Sequence, residues 1–277
     1  MTFVSKFLSL FKRLKNNIMG LSQRDESINY YKSILINIRI FGVKNGLKLP
    51  ILIFNNTNIY RIGKINIKCP IKKGLIKIGH HDYKSQGRTK FYNSGVINIY
   101  GPLRIEGCCI IENYGTINYM GYNIISDGTS LLIRNLLTIG EHSRIGFHSF
   151  VMDSDDHFTI DCNTHLISRN TKPITIGKYN WIGHTTFIKK GTITPDYFIV
   201  SSPNALLLKD YSDLPPYTVV GGSPIKIIKS GIRRIYNSKT EAKIFEYFNT
   251  HPGVNNIKAD LNNRTLDEYC KNTEAFF

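Results

Sequence analysis

The stretch Ile133-Arg-Asn-Leu-Leu-Thr-Ile139-Gly-Glu-His-Ser-Arg-Ile145-Gly-Phe-His-Ser-Phe-Val151 decides the fold. Its large apolar residues Ile133, Ile139, Ile145 and Val151 fall six positions apart. An amphipathic helix wants apolar residues every three or four positions, and a half-buried strand every two. A sustained period of six fits neither. It fits a three-sided solenoid in which each hexad is one short strand plus a corner, giving about 18 residues per coil. The apolar residue points inward, and the small residue after it is expected to permit the dihedral angles of the corner. Stacked coils bury a continuous core that no single coil could bury alone.

The same period runs on either side. Upstream it reads Ile99, Ile105, Ile111, Ile117; downstream it reads Ile176, Ile182, Ile188, Thr194, Val200, Leu206, with Thr194 the one polar member. Ile-Gly recurs at 139–140, 145–146, 176–177 and 182–183. The three runs are out of phase, which predicts insertions near 118–132 and 152–175. Insertions in a solenoid emerge as surface loops, where functional residues concentrate. The second is the more polar and holds Asp153, Asp155, Asp156 and His157. Shorter β-like pieces at Ile51–Phe54, Ile65–Ile67 and Leu75–Ile78 read as incomplete first coils.

The ends differ from the middle. Residues 1–73 carry 14 Lys and Arg against Asp25 and Glu26, a net of +12 out of +16 for the 277-residue chain. A basic end suggests an anionic partner or a solubilising surface. Phe3, Phe7, Leu10, Phe11, Leu14 and Ile18 share one helical face with Lys6, Lys12, Arg13 and Lys15 off it. That pattern suits either a membrane interface reached through residues 1–20 or packing on protein. Ser238-x-x-Glu241 reads as a capping box opening a C-terminal helix with Ile244, Phe245 and Phe248, and a further short helix is expected near Leu266. The expected domains are a basic helical segment at 1–45, a solenoid at 46–229 and a helical tail at 230–277. There is no apolar run long enough to span a bilayer and no secretory h-region. Five cysteines without a CxxC pair argue against a disulfide framework or zinc ribbon, and fit a reducing cytoplasm. The basic segment lacks an aromatic-interleaved motif of the kind that reads nucleic acid, so no nucleic-acid partner is expected.

Three motifs carry a family resemblance. Ile174-Thr-Ile-Gly-Lys-Tyr-Asn-Trp-Ile-Gly183 resembles the signature coil of hexapeptide-repeat acetyltransferases, and Val219-Val-Gly-Gly-Ser-Pro-Ile-Lys-Ile-Ile-Lys229 is similar to that family's closing motif. Met152-Asp-Ser-Asp-Asp-His157 resembles the catalytic stretch of its capsule and lipopolysaccharide O-acetyltransferase branch, as do Leu49-Pro50 and Gly74–Gly79 of that branch's N-terminal half. The resemblance covers roughly 45–230. It implies a mainly β chain folded as a left-handed parallel β-helix with short N- and C-terminal helices. It also implies a homotrimer with active sites between subunits, and acetyl transfer from acetyl-CoA, the co-substrate, to a carbohydrate hydroxyl. The cysteine usage adds an expected location in the cytoplasm, and the basic N-terminal helix the inner face of the cell membrane as the alternative.

The chemistry sets the residue roles. A sugar hydroxyl is a poor nucleophile, so a general base must take its proton, and histidine titrates near ambient pH. Resemblance assigns that role to His157. Asp153, Asp156 or a backbone carbonyl would fix the second ring nitrogen. The thioester oxyanion needs a fixed donor, and resemblance points to the backbone N–H of His184. CoA contacts are expected near Gly183, Ser201 and Ser202, with Lys226 and Lys229 toward its phosphates and Trp181 either lining the site or packing a corner. Two departures from the family pattern, Val200-Ser-Ser-Pro-Asn204 and Thr194-Pro195, leave individual CoA contacts open. No metal is expected: His142 and His148 are six apart and would occupy neighbouring faces, and His80, His81 and His165 read as turn or insertion residues. The alternatives are an N-acetyltransferase acting on an amino sugar nucleotide and a non-enzymatic β-helix scaffold.

Overall fold

A computed structural model describes residues 27–80, 87–201 and 203–271. The helix expected at 3–18 lies outside the described residues. Three sheets form the walls of a prism. The first, of nine strands, runs from Ile51–Ile53 to Val219–Gly221 and closes on Lys226–Lys229; the second has seven strands, from Thr57–Arg61 to Leu206–Leu207; the third has five, from Lys64–Ile67 to Ile174–Ile176. Every pairing between named strands is parallel except the last of the first sheet, where Lys226–Lys229 turns back antiparallel. The architecture is the expected left-handed parallel β-helix with short helices near its ends.

The inward columns explain why this sequence folds this way. On the first wall Ile53, Ile78, Ile105, Ile125, Ile145, Ile182, Val200 and Val220 stack in register. On the second, Phe91, Ile111, Leu131, Val151, Ile188 and Leu207 do the same. All are buried. β-branched side chains fit this pleated, fully enclosed surface. Each buried aliphatic side chain contributes roughly 1.5–3 kcal/mol from leaving water.

The register corrects four expectations. Coils are 20 residues long where Ile105 pairs Ile125 and Ile125 pairs Ile145, and shorten to 18 where Ile182 pairs Val200. The two additional residues arise because the third wall turns two residues inward per strand, as at Ile117 and Tyr119 or Leu137 and Ile139. The expected insertion at 118–132 is therefore no loop but strands Asn123–Ile125 and Ser130–Ile133 in a longer coil. At the end of the third run Leu207, not Leu206, pairs Ile188 and is buried. The first coils are complete, because Thr57–Arg61 supplies the wall missing from the sequence reading.

The corner glycines also have a different purpose. Gly140, Gly146, Gly177 and Gly183 are absent from the left-handed region, which is occupied instead by residues such as Tyr122, His142, Tyr179, Tyr197 and Tyr217. A Cβ on Gly183 would lie 2.5 Å from the Val200 carbonyl oxygen, so close stacking of coils excludes a side chain there. The left-handed residues align along one edge as an aromatic ladder. The rings of Tyr122, His142, Tyr179 and Tyr197 stack at 4.5, 4.7 and 5.0 Å.

At the N-terminal end, helix α1 (Tyr30–Gly46) caps the open edge of Ile51–Ile53. Asn37 both donates to and accepts from the Ile51 backbone, and Ser33 Oγ accepts from Ile53 N–H. At the other end lie α2 (Ser238–Thr250) and α3 (Leu266–Cys270). The N-cap of α2 is Asn237, one residue ahead of the expected Ser238. A reciprocal capping box does occur, at Thr265 and Glu268 of α3.

Candidate active site

The arm expected at 152–175 is present. It leaves the prism after Phe150–Met152 and returns at Ile174–Ile176, at the edge between the second and third walls. It is a narrow antiparallel excursion, bridged at Ser154–Thr171 and Ile160–Ile167. Every residue from Asp155 to Arg169 is exposed, including Phe158 and Leu166, so the arm projects away from its own solenoid.

The three acids of the arm's base are each engaged. Asp153 is fully buried, one position past Met152 and thus level with Ile133. Its Oδ1 accepts from Arg134 N–H at 2.7 Å, and its Oδ2 accepts from Asn135 and Leu136 N–H, both at 2.8 Å. That carboxylate ties the arm to the corner of the coil below and makes no hydrogen bond to an imidazole among the described residues. Earlier corners are tied with the opposite polarity: Asn93 donates to Ile62 O and Asn113 to Val96 O. Asp155 pairs with Lys190 and Lys189, and these cations hold its carboxyl below the usual range. Asp156, in the left-handed region, accepts from Arg134 Nε at 3.2 Å through Oδ1. Arg134 also reaches Glu112 at 3.0 Å, with its guanidinium over the Tyr114 ring at 4.2 Å.

His157 follows these anchors directly. It is exposed, and its ring makes no hydrogen bond among the described residues. His142 is the opposite case: buried in the aromatic ladder, with burial first and then Arg144 and Lys271 lowering its pKa to about 4.

The residues expected to meet CoA line a different edge. Gly183 and His184 sit between the first and second walls, and Ser201 stacks one coil on, with Gly183 N–H donating to Val200 O and Ser201 N–H to Val220 O. His184 is exposed and stacks on Phe147 at 5.0 Å; its backbone N–H has no acceptor among the described residues. Ser202 lies outside the described residues. Lys226 and Lys229 are exposed on the returning strand. Trp181 faces outward from the first wall beneath the Arg234 guanidinium, 4.7 Å away, against the segment leading into α2. Within one chain, then, the arm of His157 and the edge of Gly183, His184 and Ser201 are separated by the second wall and do not meet.

Sequence reasoning passed over Arg134, Lys189 and Lys190, which fix the base of the arm. Their signal was weak, since basic residues at solenoid corners look like ordinary surface. No group of three or more His, Cys, Asp or Glu capable of holding a metal ion occurs among the described residues.

No protein-family model matches the chain. Solved structures that resemble it include hexapeptide-repeat acetyltransferases. The polysialic acid O-acetyltransferase OatWY is 16% identical, with 77% of this chain and 96% of that chain covered and a TM-score of 0.40. AntD, an N-acyltransferase from Bacillus cereus solved with dTDP and 3-hydroxybutyryl-CoA, is 16% identical over 72% of this chain and 88% of that chain, with a TM-score of 0.41. A hexapeptide-repeat acetyltransferase of Vibrio cholerae complexed with acetyl-CoA is 18% identical over 74% and 80%, with a TM-score of 0.31. The class that the coils define is a three-walled parallel β-helix, and the residues of this chain carry the functional reading.

Proposed function

We propose that this chain is an acetyl-CoA-dependent O-acetyltransferase acting on a hydroxyl of a surface polysaccharide or its lipid-linked repeat unit. The observation that supports it is the base of the arm. Two carboxylates are anchored to the corner at 134–136, and the next side chain is an exposed imidazole with no hydrogen bond among the described residues. A base must be held in place yet open to substrate.

In this reading His157 takes the proton of the acceptor hydroxyl as its oxygen attacks the thioester carbonyl carbon. The oxyanion accepts from the His184 N–H, which has no acceptor among the described residues. Collapse breaks the carbon–sulfur bond, the acetyl ester leaves on the sugar, and the CoA thiolate takes the proton back from His157. Asp156 keeps Oδ1 on Arg134, and its Oδ2 is the oxygen that would orient the imidazole. Gly183, Ser201 and Ser202 line the pantetheine path, Lys226 and Lys229 meet the CoA phosphates as point charges, and Trp181 borders the site. Asp153 acts only through the fold of the arm. Because the arm points away from its own CoA edge, the reading includes a cyclic homotrimer in which one chain's His157 serves the next chain's edge.

The test is acetyl transfer measured as thiol release together with the ester signal in product NMR. His157→Ala should lower the rate by about 10²–10⁴-fold while CoA still raises the melting temperature. A near-native rate would overturn the assignment of the base. An alkali-stable amide product would favour the amino-sugar alternative, and no melting shift with CoA would favour a scaffold.

A further inference from the structure

The N-terminal end of the solenoid differs in charge from everything else. Between residues 27 and 80 the chain carries ten Lys and Arg and no Asp or Glu. Helix α1, kinked at Gly42, occupies this end in an unusual orientation. Its fully buried residues are Ser33, Asn37 and Gly46, with Ser33 and Asn37 engaged in hydrogen bonds to the edge strand. Large apolar residues stay outside: Tyr31, Leu35, Val43 and Leu47 are each about half exposed, and Tyr60 on the neighbouring strand is 63% exposed. Interleaved with them are Arg39, Lys44 and Lys48, all exposed and without an ion pair among the described residues. Beside α1 a cavity opens over Ile36, Ile40 and Ile59, rimmed by Lys32, Arg39, Arg61 and Lys64.

Exposed apolar side chains interleaved with basic ones, on an end that carries no acid, suit contact with an anionic membrane interface. We infer that α1 and the first coil form a docking surface for an anionic lipid bilayer, with the basic rim of the cavity taking a headgroup phosphate. Charge selects this occupant over the chain's own N-terminal segment. Residues 1–26 hold five Lys and Arg against Asp25 and Glu26, so they share the sign of the surface they would have to cover. An anionic leaflet complements both. A second copy of the chain would bring the same positive surface against itself. The inference stands independently of the proposed chemistry, because none of these residues belongs to the candidate active site.

The experiment is vesicle sedimentation of the full chain. Vesicles containing about a quarter phosphatidylglycerol should retain it, and phosphatidylcholine vesicles should not, with binding lost as salt rises. The triple substitution Leu35→Gln, Val43→Gln, Leu47→Gln alters only exposed positions and leaves residues 1–26 intact; it should weaken binding about tenfold. A Val43→Trp probe in a Trp181→Phe background should shift its emission to the blue and be quenched by brominated acyl chains only when anionic vesicles are added. Equal sedimentation of the triple variant and the native chain would overturn the inference. So would probe emission that is already blue without lipid and unchanged by it, the outcome expected if the chain itself or a second copy covers the row.

Discussion

The corner at 134–136 and the arm at 153–173 occupy the same edge of the prism, one coil apart, and they solve the same problem differently. At the first, the chain passes from Ile133 to Leu136 through Arg134 and Asn135 alone. At the second, the chain leaves the prism and returns some twenty residues later to the same column, Ile174 level with Leu137. The comparison teaches that a solenoid tolerates a long insertion when both stubs remain tied to the coil below. Closing a longer loop costs little additional entropy. What matters is that the orphaned N–H groups of the lower corner are satisfied, and Asp153 does this with three bonds. The exposed span of the arm then leaves the prism with the wall still tied above and below it.

The largest effect on this comparison should come from Asp153→Ala. Three corner N–H groups beneath the arm would lose their acceptor, at a cost of about 3 kcal/mol. Urea denaturation should show the loss, and activity should fall with it because the arm's base is freed. Native stability in this variant would mean that the corner does not depend on the carboxylate.

The two histidines sharpen the contrast. His142, at a closed corner, has its folded pKa lowered to about 4, below the ordinary histidine value, with burial as the main cause, even with the Glu141 carboxylate 3.8 Å away. Below pH 6.5 the unfolded state binds a proton that the folded state refuses. This contribution to stability is therefore complete above that value and is lost as pH falls from there toward about 4. His142→Phe keeps the ring stack and should lose less stability than the native chain between neutral and acid pH. Parallel acid profiles would contradict the burial argument.

Arg134→Gln should have the smallest effect on folding, below about 1 kcal/mol, since its ion pairs with Glu112 and Asp156 are partly exposed. Its effect should appear in kcat with little change in KM for acetyl-CoA, because Arg134 holds Asp156 and so the residue beside it. A change confined to KM would move Arg134 out of the positioning role.

The wall was legible in the sequence and the arm's anchors were not. Each inward Ile or Val is decided by burial alone, so its spacing survives in one dimension. The hexad rule nevertheless gave 18-residue coils where much of the chain uses 20. A repeat at the longer period is visible in Asn93-Ser-Gly-Val-Ile-Asn98 and Asn113-Tyr-Gly-Thr-Ile-Asn118, whose first and last asparagines bond coil to coil. The left-handed tyrosines were missed because glycine is the residue normally sought there, whereas stacking along the edge selects aromatics. His157 is proposed from its motif. The partners of Asp153 and Asp156 could not be read in the same way, because they lie about twenty residues back along the chain and meet the acids only once the coils have stacked.

The central claim is that a base carried on one chain's arm serves a CoA edge on another, and subunit mixing tests it directly. His157→Ala and Ser201→Trp, the second chosen to fill the exposed edge, should each be nearly inactive alone. Unfolded together in equal amounts and refolded, they should regain about a quarter of native activity, the share of interfaces in a random cyclic trimer that pair an intact arm with an intact edge. A mixture as inactive as its parents would contradict the claim.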